Sequence, residues 1–195
     1  TISVSAFLLS RSSDLDLRVL QKFGVCRLAP GDFYVDVFSC PENSHIIGAG
    51  MNRTRLIHKS NVQRMYAVRL RANSVLSDLT LENYNEDWED ITPVEDYSLG
   101  THGVRIGTAE AGVTEEYGCS VQNVLIKNFE GCGIFHRHTG FGANGCSYIN
   151  VRVEHCSAGI YLGEKAEYCE VIGRYARRCY TGMVAIGGTN IASGC

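Results

Sequence analysis

Apolar residues along this chain alternate with polar ones in short runs and rarely recur at helical intervals. In "DLTLEN" (78–83), Leu79 and Leu81 share one parity, as do Val124 and Ile126 in "NVLIKN" (123–128) and Val151 and Val153 in "NVRVEH" (150–155). A period of two means strands with one face turned to a core. The opposite parity carries Glu82, Lys127, Glu154 and Arg177, charges of alternating sign that predict a solvated ion-pair ladder on an outer face. One stretch departs from this pattern. "SSDLDLRVLQKF" (12–23) predicts a short helix near 13–22, with Ser13 or Asp14 as N-cap, Leu15, Val19 and Leu20 as buried face, and Gly24 as its end.

The runs repeat. "CSVQNVLIKNFEGCGIF" from Cys119, "CSYINVRVEHCSAGIYL" from Cys146 and "CEVIGRYARRCYTGMVA" from Cys169 share one pattern, with starts 27 and 23 residues apart. Further upstream, "DLTLENY" from Asp78 matches "NVLIKNF", and "HGVRIG" from His102 matches "GCGIFH" and "SAGIYL". Short strands at this period, without helices between them, bury their apolar parity by winding into coils that stack at about 4.8 Å. The fold class expected is therefore all-β: a right-handed, single-stranded parallel β-helix of about six coils over 24–195, with 1–23 as an N-terminal capping segment. Arg174, matched with Val124 and Val151, breaks the inward pattern and predicts an early strand end or a bulge. The last coil, "TGMVAIGGTNIASGC", carries no polar cap, so a continuation past Cys195 or a covering partner is expected.

Composition narrows the partners. A net charge of −3, with 45% hydrophobic residues, excludes a basic nucleic-acid binder, and no apolar run is long enough for a membrane span. Nine cysteines invite a disulfide reading, but cysteines repeated at one coil position have parallel Cβ vectors, which disulfide geometry forbids. They read as small buried residues in two ladders, Cys119–Cys146–Cys169 and Cys132–Cys156–Cys179, in a protein folded in a reducing compartment. Cys132 with His136 and His138 has no second cluster to close a zinc site, so no metal or other cofactor is expected.

The opening, "FGVCRLAPGDFYVDVFSCPENSHIIGAGMNRTRLIH" (23–58), resembles that of pectate-lyase-like β-helix proteins through Leu28, Gly31, Phe33 and Val35, followed by Ile47, Gly48, Gly50, Thr54 and Leu56. Within that superfamily the chain looks most like bacteriophage tailspike and tail proteins. It is also similar to alginate epimerases, in "SDLTLENYN" (77–85), an insertion, and "GIFHRHT" (133–139), where the resemblance carries over one histidine, His136 or His138, and Ile134 or Phe135 stands at the family's preceding carboxylate.

These likenesses imply a bacteriophage tail protein, assembled in host cytoplasm as a homotrimer with other virion tail proteins, that binds, or both binds and degrades, a cell-surface polysaccharide. The alternatives are a secreted extracellular lyase, epimerase or glycoside hydrolase, or a non-enzymatic structural β-helix. The insertion loop at 84–101 is the main departure from coil regularity and the natural place for a site. There Trp88 and Glu89 are expected to bind sugar by stacking and hydrogen bonding, and Asp90 and Asp96 to act as a catalytic carboxylate pair. Alignment of the coils turns His136 inward as a hydrogen-bonded core residue. Arg137 and His138 then fall at the strand's end as charge neutraliser and base, and Arg105 and Tyr161 are expected to share an outer groove with them.

Overall fold

In the computed structural model, the described residues are 24–59, 66–84, 99–107, 116–136, 143–163, 166–186 and 188–194. The expected helix at 13–22 and the core of the insertion, 85–98, lie outside them. Every described strand is parallel to its partners, and the sheets stack coil on coil: the chain is a parallel β-helix.

Sheet 1 carries two legs of each coil. The first leg runs Val25–Arg27, His45–Ile47, the start of Val75–Asn83, the start of Ser120–Phe129, Ser147–Ile149, Glu170–Ile172 and Ile191–Ser193. The second runs Gly31–Val35, Thr54–His58, the remainder of the two long strands, Arg152–Cys156 and Tyr175–Arg177. Sheet 2 takes one strand from each of six coils: Phe38–Cys40, Tyr66–Leu70, His102–Ile106, Ile134–His136, Ala158–Leu162 and Thr181–Ala185. Sheet 3 is a minor one, of Glu116–Tyr117, Ala143–Asn144 and Ala166–Glu167.

The parity read from sequence sets the core. Leu56, Leu81, Ile126 and Val153 are consecutive partners across four coils, all 0% exposed, and Val68, Val104, Ile134 and Ile160 form the facing column of sheet 2, also 0% exposed. On the outer face Glu82, Lys127, Glu154 and Arg177 are partners in the order expected, and Glu82 bonds Lys127 Nζ at 3.1 Å and Arg55 at 2.9 Å. Arg55 continues to Asp32 at 3.3 Å, so the signs alternate further than the sequence repeat alone indicated.

Corners between legs require left-handed backbone, which few side chains tolerate. Asp78, Asn123 and Asn150 occupy this region at φ 57°, 52° and 50°, stacked at the corner between the two legs of sheet 1. Their side chains bond along the stack, Asn123 Nδ2 to Asp78 Oδ1 at 3.1 Å and Asn150 Nδ2 to Asn123 Oδ1 at 2.9 Å. The corner into sheet 2 is tight instead. A Cβ on Gly133 would stand 2.5 Å from Val153 Cγ1 and 2.8 Å from the Gly159 carbonyl oxygen, which explains the repeated Gly103, Gly133 and Gly159. In the opening motif, Thr54 ties the turn: its buried hydroxyl donates to the Ala29 carbonyl and accepts from the Ala49 N–H, both at 2.9 Å.

Two expectations are revised or resolved. Ile134 pairs with Ile160, so Cys132 stands opposite Ala158, while Cys156 pairs with Phe129. Cys132 therefore leaves the second cysteine ladder, because the corner from Phe129 to Gly133 is one residue longer than that from Cys156 to Gly159. Arg174 precedes the strand Tyr175–Arg177 and donates to the Gly182 carbonyl, so it resolves as a late strand start whose guanidinium fills the last coil. None of the eight described cysteines is in a disulfide. Burial pushes the Cys40 thiol up to about 11, which keeps it protonated at neutral pH.

Candidate functional site

The outer face of sheet 2 gathers the described residues with ligand-binding chemistry. One column runs Ser39, Arg69, Arg105, Phe135, Tyr161 and Val184, each the direct partner of the next. A second column, three residues earlier in each strand, begins Tyr66, His102. The two interleave. Arg105 places its guanidinium carbon 5.4 Å from the Tyr66 ring centroid, within cation–π range, and His102 stacks on Phe135 at 4.1 Å and 5°. Phe135 stacks in turn on Tyr161 at 5.3 Å, so three aromatic rings run along consecutive coils.

This face is drier than a solvated sheet surface. Arg69 is 6% exposed, His102 2%, Phe135 5% and Tyr161 5%. Burial lowers the His102 pKa to about 3, with the Arg105 charge adding to the effect, so its ring is neutral. His102 Nδ1 accepts the Cys132 N–H at 3.1 Å, which puts the ring proton on Nε2.

Of the residues expected at a site, Arg105 and Tyr161 do share one outward column, two coils apart with Phe135 between them. Tyr161 is buried in that column and does not stand as an open groove wall. Arg137, His138, Trp88, Glu89, Asp90 and Asp96 lie outside the described residues. The strand Ile134–His136 ends immediately before Arg137, at the C-terminal edge of this same sheet. Arg69 and His102 were missed. A signal existed: "YAVRL" (66–70) repeats the "HGVRI" (102–106) pattern, so Arg69 shares its coil position with Arg105.

His136 points into the core, as its parity demanded, and is 0% exposed. The Tyr148 hydroxyl lies 3.1 Å from its Nδ1 and the Cys169 sulfur 3.9 Å. Among the described residues, one group has ligand atoms placed to hold a metal ion: His136, Cys146 and Cys169, all buried, with these atoms within 4.8 Å of one another.

No protein-family model matches the chain, and no curated protein matches it in sequence. Solved structures do match in shape. The catalytic domain of a GH87 alpha-1,3-glucanase in complex with nigerose aligns with a TM-score of 0.60 at 16% identity, over 84% of this chain and 28% of that one. The A-module of the Azotobacter vinelandii mannuronan C-5 epimerase AlgE6 aligns with a TM-score of 0.54 at 17% identity, over 88% of this chain and 48% of that one. The chain thus spans less than half the length of either, and what it shares with both is the parallel β-helix fold.

Proposed function

We propose that this protein is a polysaccharide-binding β-helix whose ligand is an acidic, uronate-bearing chain lying along the outer face of sheet 2. The observation that carries the proposal is the direct pairing of Arg69 with Arg105. Elsewhere on the outer surface, stacked charges alternate in sign, as in Asp32, Arg55, Glu82 and Lys127. Two guanidinium groups at one position of consecutive coils give this face a positive column, the chemistry that suits an anionic ligand. Guanidinium groups match carboxylates in a planar, two-bond geometry, and the buried rings beside them hold the column rigid.

The two similar structures, by their descriptions a glucanase and a mannuronan epimerase, lend support to a polysaccharide ligand. The doubled arginine favours the acidic class. In its catalytic form the proposal has His138 as the base that removes a proton beside a uronate carboxylate and Arg137 as the group that neutralises that carboxylate, with Trp88, Glu89, Asp90 and Asp96 contributed by the insertion. The same face would serve a bacteriophage tail protein, assembled as a trimer, that attaches to a host-surface polysaccharide; neither similar structure is described as one.

Binding of the folded chain to polymannuronate, polygalacturonate and a neutral alpha-glucan tests the proposal. Tight binding to the uronates alone is expected, weakening with salt, and Arg105→Ala should weaken it by about tenfold or more, as loss of a charged hydrogen bond does. Equal affinity for the neutral glucan, or unchanged uronate binding in Arg105→Ala, would overturn it.

A further inference from the structure

We propose that His136, Cys146 and Cys169 form a zinc(II) site in the interior of the β-helix, a metal centre that the one-dimensional spacing of these residues conceals. His136 comes from sheet 2, while Cys146 and Cys169 each precede the first leg of consecutive coils, so the three meet across the lumen. Their ligand atoms lie within 4.8 Å of one another, and all three residues are buried. Zinc–sulfur bonds of about 2.3 Å and zinc–nitrogen bonds of about 2.0 Å set neighbouring ligand atoms some 3.5–3.8 Å apart in a tetrahedron. Closing onto a metal therefore takes a contraction of about 1 Å, within reach of side-chain torsions alone.

The imidazole presents Nδ1 to the cysteines, 3.9 Å from Cys169 Sγ and 3.1 Å from the Tyr148 hydroxyl, so Nδ1 is the ligand atom. Charge also closes. Zinc(II) with two thiolates, a neutral imidazole and a neutral oxygen donor in the fourth position is a site of zero net charge, the form that a low-dielectric interior accepts. On binding, each thiol gives up its proton to solvent, two zinc–sulfur bonds form, and the imidazole donates a lone pair for the zinc–nitrogen bond; nothing is oxidised or reduced. Because the cluster is sealed, the ion is taken up as the coils wind.

The test is the metal content of the full 195-residue chain. Expressed with zinc and purified folded, it should carry one zinc per chain, resist EDTA while native and release the metal on unfolding in guanidinium. The double variant Cys146→Ser/Cys169→Ser should hold only background zinc. Cys40→Ser, which alters an equally buried cysteine in the first coil, should keep the full equivalent. Since the double variant could lose zinc by failing to fold, the wild-type chain is also refolded with cobalt(II), where thiolate-to-cobalt charge-transfer and tetrahedral absorption bands are expected. Folded wild-type chain without zinc, no such cobalt bands, zinc retained by the folded double variant, or zinc lost equally from Cys40→Ser would each overturn the assignment.

Discussion

His102 shows what one buried ring does to this fold. Its neutral form is held between the Cys132 N–H and the Phe135 face, and burial lowers its pKa from the ordinary 6.5 to about 3. An unfolded chain takes up a proton near pH 6.5, whereas the folded chain resists doing so until about pH 3. Stability attributable to His102 is therefore intact above pH 6.5 and lost as pH falls from there toward 3, at up to about 1.4 kcal/mol per pH unit. His58, also lowered by burial and bonded through Nδ1 to the Asp36 carbonyl at 2.7 Å, acts in the same direction. In His102→Asn, whose amide oxygen can still accept from Cys132, denaturant unfolding between pH 7 and pH 4 should show a shallower loss of stability than the wild type. Parallel pH profiles for the two proteins would mean that His102 is not the group responsible.

At the scale of the element, the corner decides what each coil position tolerates. Gly133 sits where a Cβ would meet Val153 at 2.5 Å and the Gly159 carbonyl, a backbone atom that cannot move without shifting the next coil. Gly145, at φ +63°, has nothing within 4 Å of its missing Cβ, so a side chain there meets only the backbone penalty of left-handed conformation. Gly133→Ala should therefore cost about 1–3 kcal/mol or more, the range for overpacking, and Gly145→Ala about 1 kcal/mol. Chemical denaturation of the two variants checks the order, and a larger loss at Gly145 would show that the corner relaxes.

The outer ladder belongs to the same scale. Glu82 has a side chain only 15% exposed and bridges Arg55 and Lys127 from neighbouring coils. Glu82→Gln should lose about 1 kcal/mol or less, and the difference should shrink as salt rises. A loss that is independent of salt would assign the effect to packing.

Across the whole molecule, stability is a sum of coil interfaces, because each coil touches only its neighbours. Leu81 is flanked by Leu56 and Ile126 and is fully buried, whereas Met183 is partly exposed and, among the described residues, pairs on one side only, with Ile160. Leu81→Ala should cost about 2–5 kcal/mol, and Met183→Ala distinctly less. Comparable losses would mean that the array unfolds as one block whose end is as well supported as its middle.

The sequence by itself determined the coil: strand parity, coil length, the outer charge ladder and the inward turn of His136 all follow from a side-chain period of two repeated at nearly constant spacing. These are local and periodic features, so one dimension is enough to carry them. Tertiary structure alone decided what meets across coils. One extra corner residue moved Cys132 out of register with Cys156, a shift that no parity count detects. The seat of His102 on Phe135 and the approach of His136 to a cysteine 33 residues away depend on corner lengths and on which faces the closed coil turns toward one another. Such contacts are set by the geometry of closure, which adjacent residues do not encode.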